Sequence, residues 1–74
     1  MTNPVIRDAQ RVYLIATLYA DDVQNSESDY EKSVAYSALG NCILDLRDMF
    51  NASRNNETRS YMRAAEALIL SVAR

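Results

Sequence analysis

The stretch VYLIATLYADD, Val12 to Asp22, carries eight apolar or aromatic residues and one threonine before it meets two acids. Placed on a helix at 100° per residue, the run divides into two sides. Val12, Tyr13, Ala16, Tyr19 and Ala20 share one side with Val5, Ala9 and Val23, which recur at steps of three and four. Leu14 and Leu18 project from the opposite side, among Arg7, Arg11, Asp21 and Asp22, and Ile15 lies on the border. An amphipathic helix with a core face is expected here, together with a remainder of apolar surface that its own core does not use.

Upstream, Asn3 can cap this helix and Pro4 suits its first position, where a missing N–H costs nothing. The first helix is therefore expected over about residues 4 to 23. Downstream, NSESDYE interrupts the pattern, and Ser28 with Glu31 three positions later has the form of a capping box. A second helix follows over about 29 to 52, with Ala35, Leu39, Cys42, Leu46 and Met49 as its stripe and Ala38, Ile43 and Phe50 widening it. NASRNNE makes the second break, with Asn55 or Asn56 as cap and Glu57 well placed in the first turn. Tyr61, Met62, Ala65, Leu68, Ile69 and Val72 then mark a third helix over about 56 to 73. Connections of about five residues make neighbours antiparallel, so the expected fold is all-α, a three-helix up-down-up bundle in a single domain spanning residues 1–74. One glycine and one proline in the chain argue against strands and hairpins, which need more turn residues.

A 74-residue domain buries only about 60% of the surface its unfolded chain exposes, so its core is thin. Disulfides and zinc often supplement such cores, but there is one cysteine, Cys42, and no histidine. No cofactor and no metal are expected, and association with a second chain is the remaining supplement. The absence of histidine also removes the usual general acid and base near neutral pH. Cys42 falls within an apolar stripe and reads as a small hydrophobe, while Asp45 and Asp48 read as a solvated helix face. Catalysis is not expected.

Leu14 and Leu18, one turn apart and rimmed by charge, are ordinary exposed leucines on one reading and a patch that meets another chain on the other. The second is preferred because the core is so small, with Arg11, Leu14, Ile15, Leu18, Asp21 and Asp22 as contact residues and a homodimer as its simplest form. Leu70 repeats the feature on the third helix, beside Arg59, Arg63 and Glu66. On the second helix, Ser33, Ser37 and Gly40 form a side without bulk, and Gly40 costs about 1 kcal/mol relative to alanine. A tight helix crossing there, with the first helix or with a second copy, would offset that cost.

Charge is unevenly spread within a total of −2. Between Val12 and Glu31 lie five acids and no base, whereas Arg54, Arg59, Arg63 and Arg74 outnumber Glu57 and Glu66 beyond Ala52. Asp21 and Asp22 stand in a last helical turn, where unpaired carbonyls disfavour anions, and a basic partner surface would compensate them. Lacking the ligand pattern of a calcium loop, the acids do not read as a cation site.

The function expected is that of a small cytoplasmic protein-interaction module that inhibits or modulates another protein, of a kind common among phage- and plasmid-encoded regulators. A helical DNA-binding regulator using Arg54, Arg59 and Arg63 is the first alternative. It is disfavoured by the long second helix, by a turn into the third helix longer than a helix-turn-helix uses, and by acids that dilute the arginines. A structural or adaptor subunit of a larger complex is the second. No segment offers the roughly 20 uncharged apolar residues of a membrane span, so no membrane is expected.

Overall fold

The computed structural model describes residues 4–72, which form three packed helices: α1 (Pro4–Asn25), α2 (Asp29–Ser53) and α3 (Asn56–Val72). The all-helical expectation and the order of the helices hold. α1 runs two residues past the expected Val23, α2 ends one residue late at Ser53, and the expected end of α3 at position 73 lies outside the described residues. The bundle is elongated, 42 × 19 × 15 Å, close to the roughly 38 Å that the 25 residues of α2 span at 1.5 Å each.

Both connections are shorter than the expected five residues, and local chemistry explains each. Ser28 is extended, at φ −90° and ψ 132°, and its hydroxyl accepts from the Glu31 N–H at 3.4 Å, so α2 starts as soon as Ser28 caps it. At the other end Arg54 adopts the left-handed conformation, φ 54° and ψ 30°, and its N–H donates to the Phe50 carbonyl at 2.7 Å. A single residue thus reverses the chain. Such a conformation disfavours any residue with a Cβ, and the Arg54 guanidinium, 5.5 Å from the Phe50 ring centre, supplies a compensating cation–π contact. Asn55, rather than Asn56, then caps α3: its Oδ1 accepts from the N–H groups of Glu57 at 2.8 Å and Thr58 at 3.3 Å.

The core has two centres. Ala16, Ala20, Leu39, Cys42 and Val72 form one, flanked by Val12, Tyr19, Val23, Leu68 and Ile69. Ala9, Ile43, Leu46 and Ala65 form the other, flanked by Val12, Tyr13, Met49, Tyr61, Met62 and Ile69. Val12 and Ile69 border both, which makes them the link along the bundle axis. The fully covered line of α1 consists of Ala9, Ala16 and Ala20 alone. Such small side chains let α1 lie close to both neighbours, and its larger Val12, Tyr13, Tyr19 and Val23 fill the flanks while staying half-buried. The Tyr13 and Tyr61 rings meet at 5.6 Å between centres, tilted by 39°, and join α1 to α3. Leu39 and Leu46 are the largest fully buried apolar side chains, each worth about 2–3 kcal/mol of transfer free energy.

Two positions depart from the expected core. Val5, expected on the core face, is 36% exposed, in the first turn of α1 beside a recess lined by Met49, Ala52 and Ser53. Thr58, a polar residue that lies three, four and seven positions before Tyr61, Met62 and Ala65 and so extends their stripe, is completely buried, and its hydroxyl has no hydrogen-bond partner among the described residues.

Candidate functional site

The outer face of α1 lies as the helical spacing requires. Leu14 is 55% exposed and Leu18 is 63% exposed, with Ile15 at 40% on the border between face and core. Arg7 and Arg11 occupy the N-terminal half of this face and Asp21 and Asp22 the C-terminal half, all four exposed. Among the described residues the single ion pair is Arg47–Glu66 at 2.9 Å, so these four charges have no intramolecular partner. α1 has no basic residue in its last turn to meet the helix dipole, but because the helix runs on to Asn25 that turn holds only Asp22, and Asp21 falls one residue before it, a correction to the expectation for the pair. Asp22 also borders a recess of about 340 Å³ lined by Tyr19, Tyr30 and Val34.

Tyr30, 78% exposed, and Val34, 53% exposed, extend the apolar surface beside α1 onto the start of α2. Sequence reasoning missed both, and Leu44 as well. The signal was available: on the helical wheel all three lie well away from the arc centred on Leu39, just as Leu14 and Leu18 lie away from Ala16.

The side of α2 without bulk is not a tight crossing within the chain. A Cβ built on Gly40 would meet nothing within 4 Å, so α1 does not cross there, and the cost of the glycine is not offset by close packing inside this chain. α1 instead lies against the opposite flank of α2, where Ala35 and Cys42 are buried. Ser33 and Ser37 are likewise exposed, and Gly40 is part of an open groove between α2 and α3. The groove, about 580 Å³, has Ile43 and Ile69 at its base, Leu44 and Leu70 on its walls and the Arg47–Glu66 bridge at one end. Leu70, at 72% exposure, is more open than either leucine of α1.

The arginines of the alternative reading are dispersed. Arg54 lies over Phe50, Arg59 and Arg63 are exposed one turn apart on α3 beside Asn56 and Ser60, and Arg74 lies outside the described residues. One argument against DNA binding needs correction: the link from α2 to α3 is two residues, not longer than a helix-turn-helix turn, because Arg54 reverses the chain and Asn55 caps immediately.

Chemistry at Cys42 is held back by its surroundings. Burial raises the thiol above its usual pKa, and the carboxylate of Asp45 adds to the rise, so the nucleophilic thiolate is disfavoured. Asp45 and Asp48 are exposed. Among the described residues no three His, Cys, Asp or Glu side chains are grouped to hold a metal ion, and no helix is long and apolar enough to cross a membrane. No family model, curated protein or solved structure matches this chain.

Proposed function

We propose that this chain is a non-enzymatic binding module of the cytoplasm that acts by docking on a partner chain through the outer face of α1. One observation carries this reading. In the folded chain, Leu14 and Leu18 stay more than half exposed at the centre of a face whose four flanking charges have no ion-pair partner among the described residues. Apolar anchors inside a polar, charged rim have the composition of an interface whose core excludes water and whose charges set orientation. The recess beside Asp22, with Tyr30 and Val34, widens the surface available to such a partner.

A photo-crosslinking residue introduced at Leu14 or Leu18 should yield discrete protein adducts in cells, whereas the same probe at Asp48, exposed on the far side of α2, should not. Equal adducts from all three positions, or none from any, refute the reading. Leu14→Asp with Leu18→Asp should remain helical by circular dichroism and lose the adducts formed by the parent chain. DNA binding is retained as a second reading because Arg59 and Arg63 are exposed together and form no ion pair among the described residues. It requires a salt-sensitive shift of random duplex that Arg59→Ala with Arg63→Ala abolishes.

A further inference from the structure

The outer face of α1 is complementary to itself when reversed. Along the helix the order is Arg7, Arg11, Leu14, Leu18, Asp21, Asp22, which is positive, apolar, negative. From these positions we infer that α1 pairs antiparallel with α1 of a second copy, about a twofold axis opposite Ala16. This inference rests on the proposal that the outer face of α1 is an interface, and it names the occupant.

The register follows from residue spacing. A twofold axis at position 16 sets residue 14 of one helix level with residue 18 of the other, so Leu14 and Leu18 of the two copies form a four-leucine centre. The same operation sets position 11 level with position 21, so that Arg11 falls within one residue, about 1.5 Å along the axis, of both Asp21 and Asp22 of the second copy. Arg11 and Asp22 also project toward the same flank of the helix at 100° per residue, which brings their side chains together. Arg7 reaches the last turn of the second helix, where unpaired carbonyls attract a cation. Each of these contacts occurs twice by symmetry. A parallel pairing would set Arg11 against Arg11 and Asp22 against Asp22, so charge selects the antiparallel order. All four charged residues are exposed and form no ion pair among the described residues, as this requires.

The test is a charge exchange read by sedimentation equilibrium at low salt. Arg11→Glu alone and Asp22→Lys alone each place like charges together twice, and each should weaken self-association about tenfold, equivalent to about 1.4 kcal/mol. An equimolar mixture of the two variants restores both opposite-charge pairs in a heterodimer, and should associate as tightly as the parent chain. Circular dichroism of each variant alone checks that its helices are intact. A parent chain that is monomeric at millimolar concentration overturns the inference, as does a mixture no tighter than the separate variants. Leu14→Asp with Leu18→Asp separates the two failures. If it abolishes association but the mixture shows no recovery, the face stands as an interface and the antiparallel register falls; if association survives it, the choice of face falls too.

Discussion

Gly40→Ala is the substitution for which the structure and the sequence make opposite predictions. If α1 packed tightly against the Ser33, Ser37 and Gly40 side, a methyl group there would force two backbones apart. The structure leaves that space open, with no atom of a neighbouring element within 4 Å of the added Cβ, and the residue has ordinary helical backbone inside α2. What remains is propensity: alanine is favoured over glycine in a helix interior by about 0.8–1.0 kcal/mol, largely because the unfolded glycine has more freedom to lose. For a domain of this length about 1 kcal/mol raises Tm by about 4–8 °C. Thermal and urea unfolding followed by far-ultraviolet circular dichroism, at a protein concentration low enough to exclude association, should show that rise with an unchanged urea slope. A midpoint that is unchanged or lower at this dilution refutes the open groove. A fall seen only at high concentration would mean that a second copy seats closely on Gly40.

Other substitutions test the core and the buried Thr58 hydroxyl. Leu39→Ala, at a fully buried position in the core centre with Ala16, Ala20, Cys42 and Val72, should cost about 2–5 kcal/mol in urea unfolding, a large share of the stability of so small a domain. Thr58→Val removes a buried hydroxyl that has no partner and keeps the shape, so it should raise stability by about 1 kcal/mol, while Thr58→Ser, which keeps the hydroxyl and loses a methyl, should lower it. Cys42 should resist alkylation in the folded chain and react once urea unfolds it, since its thiolate is disfavoured by burial and by Asp45. Because its pKa is higher folded than unfolded, its contribution to stability is complete below the unfolded thiol pKa of about 8.5. Stability then declines with rising pH as the unfolded chain ionises first, until the folded pKa is passed. Cys42→Ala should remove that part of the pH dependence.

Legibility followed the length of the periodic signal. The stripes through Ala16, Leu39 and Ala65 extend over three turns or more, and each identified both a helix and its buried side. Errors came at the ends, where one side chain decides the outcome. Arg54, an unexpected residue for a left-handed position, shortened the second link to two residues; Val5 stays partly exposed in the first turn of α1; and Thr58, in step with the α3 stripe, was overlooked because it is polar. For the candidate site, Leu14 and Leu18 were legible as misfits to a core stripe. Tyr30 and Val34, four residues apart like Leu14 and Leu18, are misfits of the same kind to the α2 stripe, and Leu44 is a lone third.

By itself, the sequence determined three helices, their order, and which side of each must leave water, because a 3.6-residue period leaves little choice about the face an amphipathic helix buries. It also determined the positive, apolar, negative order along the outer face of α1, since neighbours on one helix face are separated by known steps. Tertiary structure alone decided which apolar remainders stay uncovered. Whether Gly40 meets a neighbour depends on the side from which α1 approaches α2, and that depends on how the alanine line of α1 seats against both other helices. Placing α1 on the far flank opened the groove between Leu44 and Leu70, left Leu14 and Leu18 facing outward, and so gave a thin-cored bundle its two apolar surfaces.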